Sequence, residues 1–300
     1  MPTSFNLSEA AAVAAAGISL DMQVANTFRR DFDSAVAGIG KGRTVDYQIP
    51  GVVSAFVRNI DDVTNPVAVA SLEEGAVPVT LTDHIGSVVA LSEGQVALDL
   101  KNFTAQVLSP QAEAVAFDIE SKAIAALEAE PLRTGYVYDA AKPKALLVKQ
   151  RAALRGRGVA DGMTINFVVG TSVYADLINA DALDGEALKG VANTRVIESN
   201  RIASDLSYAY VSDAFVTLVR VPAPMEGAGK SAEGKTKDGD FGVRYLMDYD
   251  SNVLAERSVV STFAEVAALP LVVKGAGADR AAGKATLIVG GGVEAVDTAV

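Results

Sequence analysis

The sequence predicts a mixed α+β protein, and three stretches predict it. Thr44 to Val89 is dense in Val, Ile and Thr, the residues that suit a pleated strand. Ser109 to Pro131 carries apolar side chains at helical spacing. From Tyr136 onward, short helical and strand patterns alternate.

The first of these reads as one long extended arm. Val45, Tyr47 and Ile49 alternate with polar neighbours, as do Val77, Val79 and Leu81, so each limb has the period of two expected of a strand. Between the limbs, Asp61-Asp62, Asn65-Pro66 and Glu73-Glu74-Gly75 bend the chain rather than fold it. A hairpin this long cannot bury both faces by itself. Val52, Val53, Phe56, Val57, Val67 and Val69 therefore need another surface. In a chain with so little catalytic equipment, another copy of the same protein is the expected cover. The arm also lacks lysine: none occurs between Lys41 and Lys101.

Two helices are expected before the arm. Ser8 can cap a short one that Gly17 ends. A second is expected from about Asp21 to Val36, with Met22, Ala25, Phe28, Phe32 and Val36 at helical spacings and Arg29-Arg30 on another face. After the arm, Ser109 is a natural N-cap with Pro110 at the favoured first position. Ala112, Val115, Ala116, Ile119, Ala123, Ile124 and Leu127 then form a stripe that Pro131 stops. That is roughly 30 Å of helix, enough for a structural spine. Beyond Tyr136, Lys144 to Leu154 and Ser172 to Asn179 read as helices. Thr164 to Val169, Arg195 to Glu198 and Tyr208 to Val221 read as strands. A polar loop is expected from Met225 to Asp240, then a strand from Phe241 to Tyr249, an element at Ser261 to Leu269 and a strand at Ala285 to Val289.

Composition narrows the function. Three hundred residues, half of them hydrophobic and 21% charged, suit a globular chain with a real core. No apolar run approaches the ~20 residues that span a bilayer, so no membrane is expected. With no cysteine, there are no disulfides and no thiolate chemistry. With His84 the sole histidine, there is no His-rich zinc site. Net charge is −11, which opposes a phosphate-gripping surface. One local exception is Lys142, Lys144, Lys149, Arg151, Arg155 and Arg157, six bases with no acid among them. They read as a solvated helix face, a docking strip for an acidic neighbour, or a nucleic-acid contact, the last weakened by the lack of interleaved aromatics.

Gly229 to Thr236 matches the P-loop pattern letter for letter. That chemistry needs a strand running into the loop and a helix starting at the lysine. Here Pro222 and Pro224 precede the loop, and a strand pattern rather than a helix follows. A polar loop is the expectation. Asp83-His84 with Ser87 is a poor catalytic set, because residues three apart in a strand face opposite ways. Asp61-Asp62, Glu73-Glu74 and Asp248/Asp250 are turn acids before they are metal ligands. No enzyme activity, cofactor or metal is expected.

The order of these parts resembles the major capsid proteins of tailed bacteriophages, the Hong Kong 97-type fold. Val24-Ala25-Asn26-Thr27-Phe28 with Asp31-Phe32, then Gly42-Arg43-Thr44-Val45 running to Ile49-Pro50, looks like the start of the branch that uses separate scaffolding. Arg244-Tyr245 with Asp248-Tyr249-Asp250 looks like its late peripheral strand. The resemblance covers roughly residues 20 to 270 and implies an N-terminal arm at 1–40 and an E-loop at 41–95. A peripheral domain at 96–135 and 241–272, an axial domain at 136–240 and a tail at 273–300 complete it. It implies a shell of pentamers and hexamers enclosing double-stranded DNA without sequence-specific binding, assembled in the host cytoplasm and located in the virion. The implied partners are a scaffolding protein, a portal protein and, in some shells, a decoration protein. Candidate interface residues are Phe56, Val57, Arg58, Asp61, Asp62, Glu73, Glu74, Arg29, Arg30, Arg151 and Arg155. The lysine-free arm excludes the isopeptide crosslink that some members form from an E-loop lysine. An encapsulin-like compartment, a P-loop enzyme and a smaller ring or adaptor remain as alternatives.

Overall fold

The computed structural model describes residues 6–33, 42–49, 53, 55–62, 64–67, 69, 74–92, 94, 102–133, 136–223, 230–252, 254–273, 286–288 and 293–299. In chain order its elements are helix α1 (Leu7–Asp21) and strands β1 (Arg29–Asp33), β2 (Thr44–Ile49), β3 (Gly75–Thr80) and β4 (His84–Ser92). Helix α2 (Ser109–Glu128), strand β5 (Leu132–Arg133), helix α3 (Lys144–Gly156), strand β6 (Ile165–Val169) and helix α4 (Thr171–Asn179) follow. Then come β7 (Leu183–Asp184), β8 (Ala187–Leu188), β9 (Thr194–Glu198), β10 (Leu206–Val211), β11 (Phe215–Arg220) and β12 (Lys230–Lys235). The chain ends with β13 (Gly242–Asp250), β14 (Ala255–Ala268), β15 (Leu271–Val273), β16 (Thr286–Ile288) and β17 (Glu294–Asp297).

The elements group into two units. The first comprises Met1–Thr44, Thr80–Ala129 and Phe215–Ala267. Its sheet runs β1-β11-β14-β13-β12, with β4 also paired to β14. Helix α1 packs on β12 and β13, and α2 packs on α1 and β4. Ala10, Ala11, Ala14, Ala15 and Ile18 form the buried face of α1. Its cap is Asn6, whose Oδ1 accepts the Ser8 N–H at 3.2 Å, so Ser8 is inside the helix rather than its cap. Gly17 does not end the helix either. A Cβ there would stand 3.3 Å from the Ala112 Cβ, so glycine lets α1 approach α2 closely.

The helix expected from Asp21 to Val36 is replaced by a 3-10 turn at Ala25–Thr27 and strand β1. The cause is tertiary. Buried Glu120 of α2 accepts the backbone N–H groups of Gln23 (3.3 Å), Val24 (2.7 Å) and Ala25 (3.0 Å), which fixes a bend. Phe28 then stacks on Phe215 at 4.6 Å, and β1 continues parallel to β11. Residues 34–36 of that expectation lie outside the described residues. Ser109 is likewise no cap, because helical backbone already begins at Phe103 and passes through a wider π turn at Thr104–Leu108. Asn102 Oδ1 accepts the Ala105 N–H at 3.2 Å and does the capping instead.

Gln111 ties α2 to the sheet. Its amide donates to the carbonyls of Ser87 (3.0 Å) and Ser258 (2.8 Å), while the Ser258 hydroxyl donates back at 2.7 Å. A buried amide so satisfied costs little and fixes register.

The polar loop expected from Met225 to Asp240 is, over Lys230–Lys235, the edge strand β12, antiparallel to β13, and its residues 225–229 lie outside the described residues. A Cβ at Gly234 would overlap the backbone of Ala11, so β12 meets α1 where only glycine fits. The element expected at Ser261 to Leu269 is the second half of the 14-residue β14. Strands β11 and β12, which the expected 136–240 span includes, hydrogen-bond within the first unit's sheet.

The second unit comprises Val45–Val79, Glu130–Ala214 and Ala268–Val300. Its five-stranded sheet runs β5-β17-β10-β6-β9, with α3 and α4 as its helices. Leu147, Leu154, Ile165, Phe167, Val169, Val173 and Leu177 form its core. Strand β17 carries no strong sequence signal. It is held by buried Glu294, whose carboxylate pairs with Arg157 and Arg133 and accepts the Tyr136 hydroxyl at 3.0 Å. Gln150 adds bonds to the carbonyls of Ser207 and Glu294, both 3.0 Å.

Candidate assembly surface

The two limbs of the arm pair as expected: β2 and β3 form their own two-stranded sheet. At its base, the Leu81 N–H donates to the Arg43 carbonyl at 2.8 Å, and the hydroxyls of Thr44 and Thr80 meet at 2.9 Å. Tyr47 and Val79 are buried, and their neighbours alternate outward. The period read from the sequence is thus the period of the strands.

Beyond the limbs the apolar residues are uncovered. Val57 is 99% exposed, Ile60 98%, Val69 95% and Phe56 62%. These are residue types that ordinarily leave water on folding. Val53 and Val67 are also exposed, while Val52 lies outside the described residues. The tip carrying them is tied by its own polar groups. The Asp62 N–H donates to the Asn59 carbonyl at 3.1 Å, and the Asp61 N–H donates to Asn59 Oδ1 at 3.2 Å. Asp62 Oδ1 accepts the Thr64 N–H (3.0 Å), the Thr64 hydroxyl (3.0 Å) and the Asn65 N–H (3.2 Å). Its Oδ2 accepts the Asn65 amide at 2.8 Å. Those bonds, the Asn65 amide foremost, pull the Asp62 carboxyl down to about 2. Arg58 donates to the Asp62 carbonyl and lies 3.8 Å from its carboxylate.

The remaining interface candidates are scattered. Glu74 is exposed at the foot of β3, and Glu73 lies outside the described residues. Arg29 and Arg30 are exposed on β1, Arg30 lying 3.5 Å from Asp240. Arg155 turns inward, donating to the carbonyls of Val159, Ala160, Asp161 and Met163 just beyond α3. Burial, with the neighbouring Arg151 charge, lowers its pKa. Arg157 is taken by Glu294 and Lys144 by the Lys189 carbonyl, so the six-base strip does not present one continuous charged face.

The candidates for chemistry are occupied structurally. Asp83 pairs with Lys122 at 2.6 Å, and the His84 ring rests 4.7 Å from Phe263. Burial, and then the Arg244 charge, lowers the His84 pKa. Asp248 and Asp250 both hold Arg257, at 2.5 and 3.5 Å. Among the described residues no cluster of three or more acids and histidine could hold a metal, and no helix is long and apolar enough to cross a membrane. Over its described residues the P-loop match is a strand rather than a phosphate-cradling loop, and no helix starts at its lysine: Lys235 closes that strand.

The sequence marks Asp62 as a turn acid and interface candidate but not as the organiser of the tip, and it does not single out Glu120, the anchor of the α1–β1 bend. Asp62-Val63-Thr64-Asn65 is a readable turn signature. Nothing local marks Glu120, whose partners are more than ninety residues away.

No family model and no curated protein matches the sequence. Solved structures do match. A chain from Mycobacterium phage Che8 aligns with TM-score 0.55 at 15% identity, covering 93% of this chain and 92% of that one. A bacteriophage PhiM1 mature capsid chain aligns with TM-score 0.54 at 10% identity, covering 92% and 86%. The chain has the tailed-phage major capsid protein fold. A virus-like particle from Pyrococcus furiosus shares this capsid fold, with TM-score 0.56 at 9% identity, covering 96% and 98%.

Proposed function

We propose that this chain is a major capsid protein that assembles with copies of itself into an icosahedral shell around double-stranded DNA. The observation that carries the reading is the uncovered arm tip, with Val57 and Ile60 almost wholly exposed, on a capsid fold. Isolated apolar residues on a surface need no explanation, but a run of them along one exposed arm marks an interaction site. In this reading the E-loop expected at 41–95 is the part that ends with β3, lying over a neighbouring subunit, whereas β4 is paired with β14 in its own subunit's sheet. Helix α2 is the spine of a peripheral domain built on the β11–β14 sheet. The second unit's α/β portion is the axial domain, meeting its copies around the five- and six-fold axes. A contact of ~1,600 Å² per pair would be ordinary for a stable interface, and closed symmetry repeats it over the whole shell. Scaffolding and portal proteins are the partners such a shell requires during assembly, and a decoration protein is a further candidate where no covalent lock exists.

Of the alternatives, a shell carrying cargo rather than a genome is supported less, because most of the matching structures described above come from phages. The test of the main reading is Phe56→Asp or Val57→Asp. Each is expected to leave the subunit folded, by circular dichroism and melting temperature, and to abolish particles in negative-stain electron microscopy. A variant that forms normal particles removes the arm as the contact. One that fails to fold places these residues in an internal core.

A further inference from the structure

We infer that Asp62 is a positioning residue for assembly: it holds the arm tip in the docking shape before any neighbour arrives. This rests on the reading of the arm as a subunit contact and adds how the contact is prepared. The tip from Asn59 to Asn65 bonds to itself, with one carboxylate accepting four hydrogen bonds from two residues and Arg58 closing the ring from the other side. Such bonds in exposed sequence do little for overall stability. What they do is remove conformers. Val57 and Ile60, displayed on either side of Arg58, are then presented in one arrangement. Ordering a segment before association rather than during it lowers the cost of binding.

Oδ1 alone accepts three of the four bonds, from the Thr64 N–H, the Thr64 hydroxyl and the Asn65 N–H. Asparagine keeps that oxygen, and alanine removes it. The experiment compares wild type, Asp62→Ala, Asp62→Asn and Val57→Asp for oligomer formation by analytical ultracentrifugation across concentration. Hydrogen exchange of the peptide spanning residues 55–69 is read on the dissociated subunit. For Asp62→Ala the expected result is faster exchange at the tip, an unchanged melting temperature and an assembly concentration raised about tenfold, equivalent to ~1.4 kcal/mol. Asp62→Asn is expected to return within about twofold of wild type: its Oδ1 is kept, and the Asn65 amide can turn over to accept from the new NH2 instead of donating to Oδ2.

Asp62→Ala assembling at the wild-type concentration while Val57→Asp fails overturns the inference and leaves the arm contact standing. All variants assembling like wild type, or a wild type that is monomeric at every concentration, overturns both. A lowered melting temperature for Asp62→Ala would make Asp62 a stability residue and also overturn the inference. Failure of Asp62→Asn to rescue would do so too, assigning the effect to the charge or to Oδ2 rather than to the turn built on Oδ1.

Discussion

Glu120 places a carboxyl group, 2% exposed, against three backbone N–H groups at the bend between α1 and β1. Removing an acceptor from buried donors costs their full desolvation, not merely the bond. Glu120→Ala is therefore expected to destabilise the first unit by about 3 kcal/mol in urea unfolding, and Glu120→Gln by less. Lys122 is the other residue with wide reach, its Nζ lying 2.6 Å from Asp83 and 3.1 Å from Glu265. The hydrogen bond from Lys122 lowers the Asp83 pKa below its ordinary 3.8. Burial opposes the Lys122 charge, but the two carboxylates outweigh it and raise its pKa above 10.5. A depressed acid stabilises above its ordinary pKa and loses that as pH falls through the folded value. A raised base stabilises below its ordinary pKa and loses that as pH climbs through the folded value. The melting-temperature gap between wild type and Lys122→Met should thus be widest between about pH 4 and pH 10 and close on both sides. A gap that does not vary with pH would assign the effect of Lys122 to packing.

At the scale of elements, the contact of β12 with α1 is the least forgiving. Gly234→Ala pushes a methyl group into the Ala11 backbone, and overpacking of this kind costs roughly 1–3 kcal/mol or more. Proteolysis of the variant should begin at α1 if that helix lifts away. Cleavage elsewhere first would mean that the strand yields instead. This contact also shows what the sequence withholds. Gly-Lys-Ser-Ala-Glu-Gly-Lys-Thr looks like a loop because its composition is that of loops, yet pairing with β13 and cover by α1 make most of it a strand. Local propensity loses to tertiary pairing there. It loses again at Arg29–Asp33, where helical spacing of Phe28 and Phe32 is overruled by Phe215 and strand β11. The limbs of the arm, the stripe of α2 and the strand Ile165–Val169 were legible, because each combines one clear period with flanking turn residues. The tip was legible as uncovered surface. Its internal order was not, because hydrogen bonds among polar turn residues leave no hydrophobic pattern.

For the whole molecule, net charge and exposed apolar surface pull in different directions. Copies carrying −11 repel one another at the distances where assembly begins. Salt shortens that repulsion to about 8 Å at physiological strength, while apolar burial at the tip is left intact. Light scattering should therefore show assembly starting sooner at ~0.3 M than at ~0.03 M sodium chloride, by the same screening. The reverse order would mean that ion pairs rather than apolar side chains draw the subunits together. On the proposed reading of a DNA-filled shell, an inner wall sharing this acidity would keep DNA from adhering, so DNA release is expected not to demand high salt.

The lysine-free arm has a practical corollary in labelling chemistry. Amine-reactive dyes and crosslinkers can mark Lys41 and Lys101 but nothing between them, and trypsin can cut there only after Arg43 and Arg58. Subunits acylated on every amine would keep their arm unmodified. Because the chain has no cysteine, a thiol introduced at Val57 would be the sole one, reporting the tip without background.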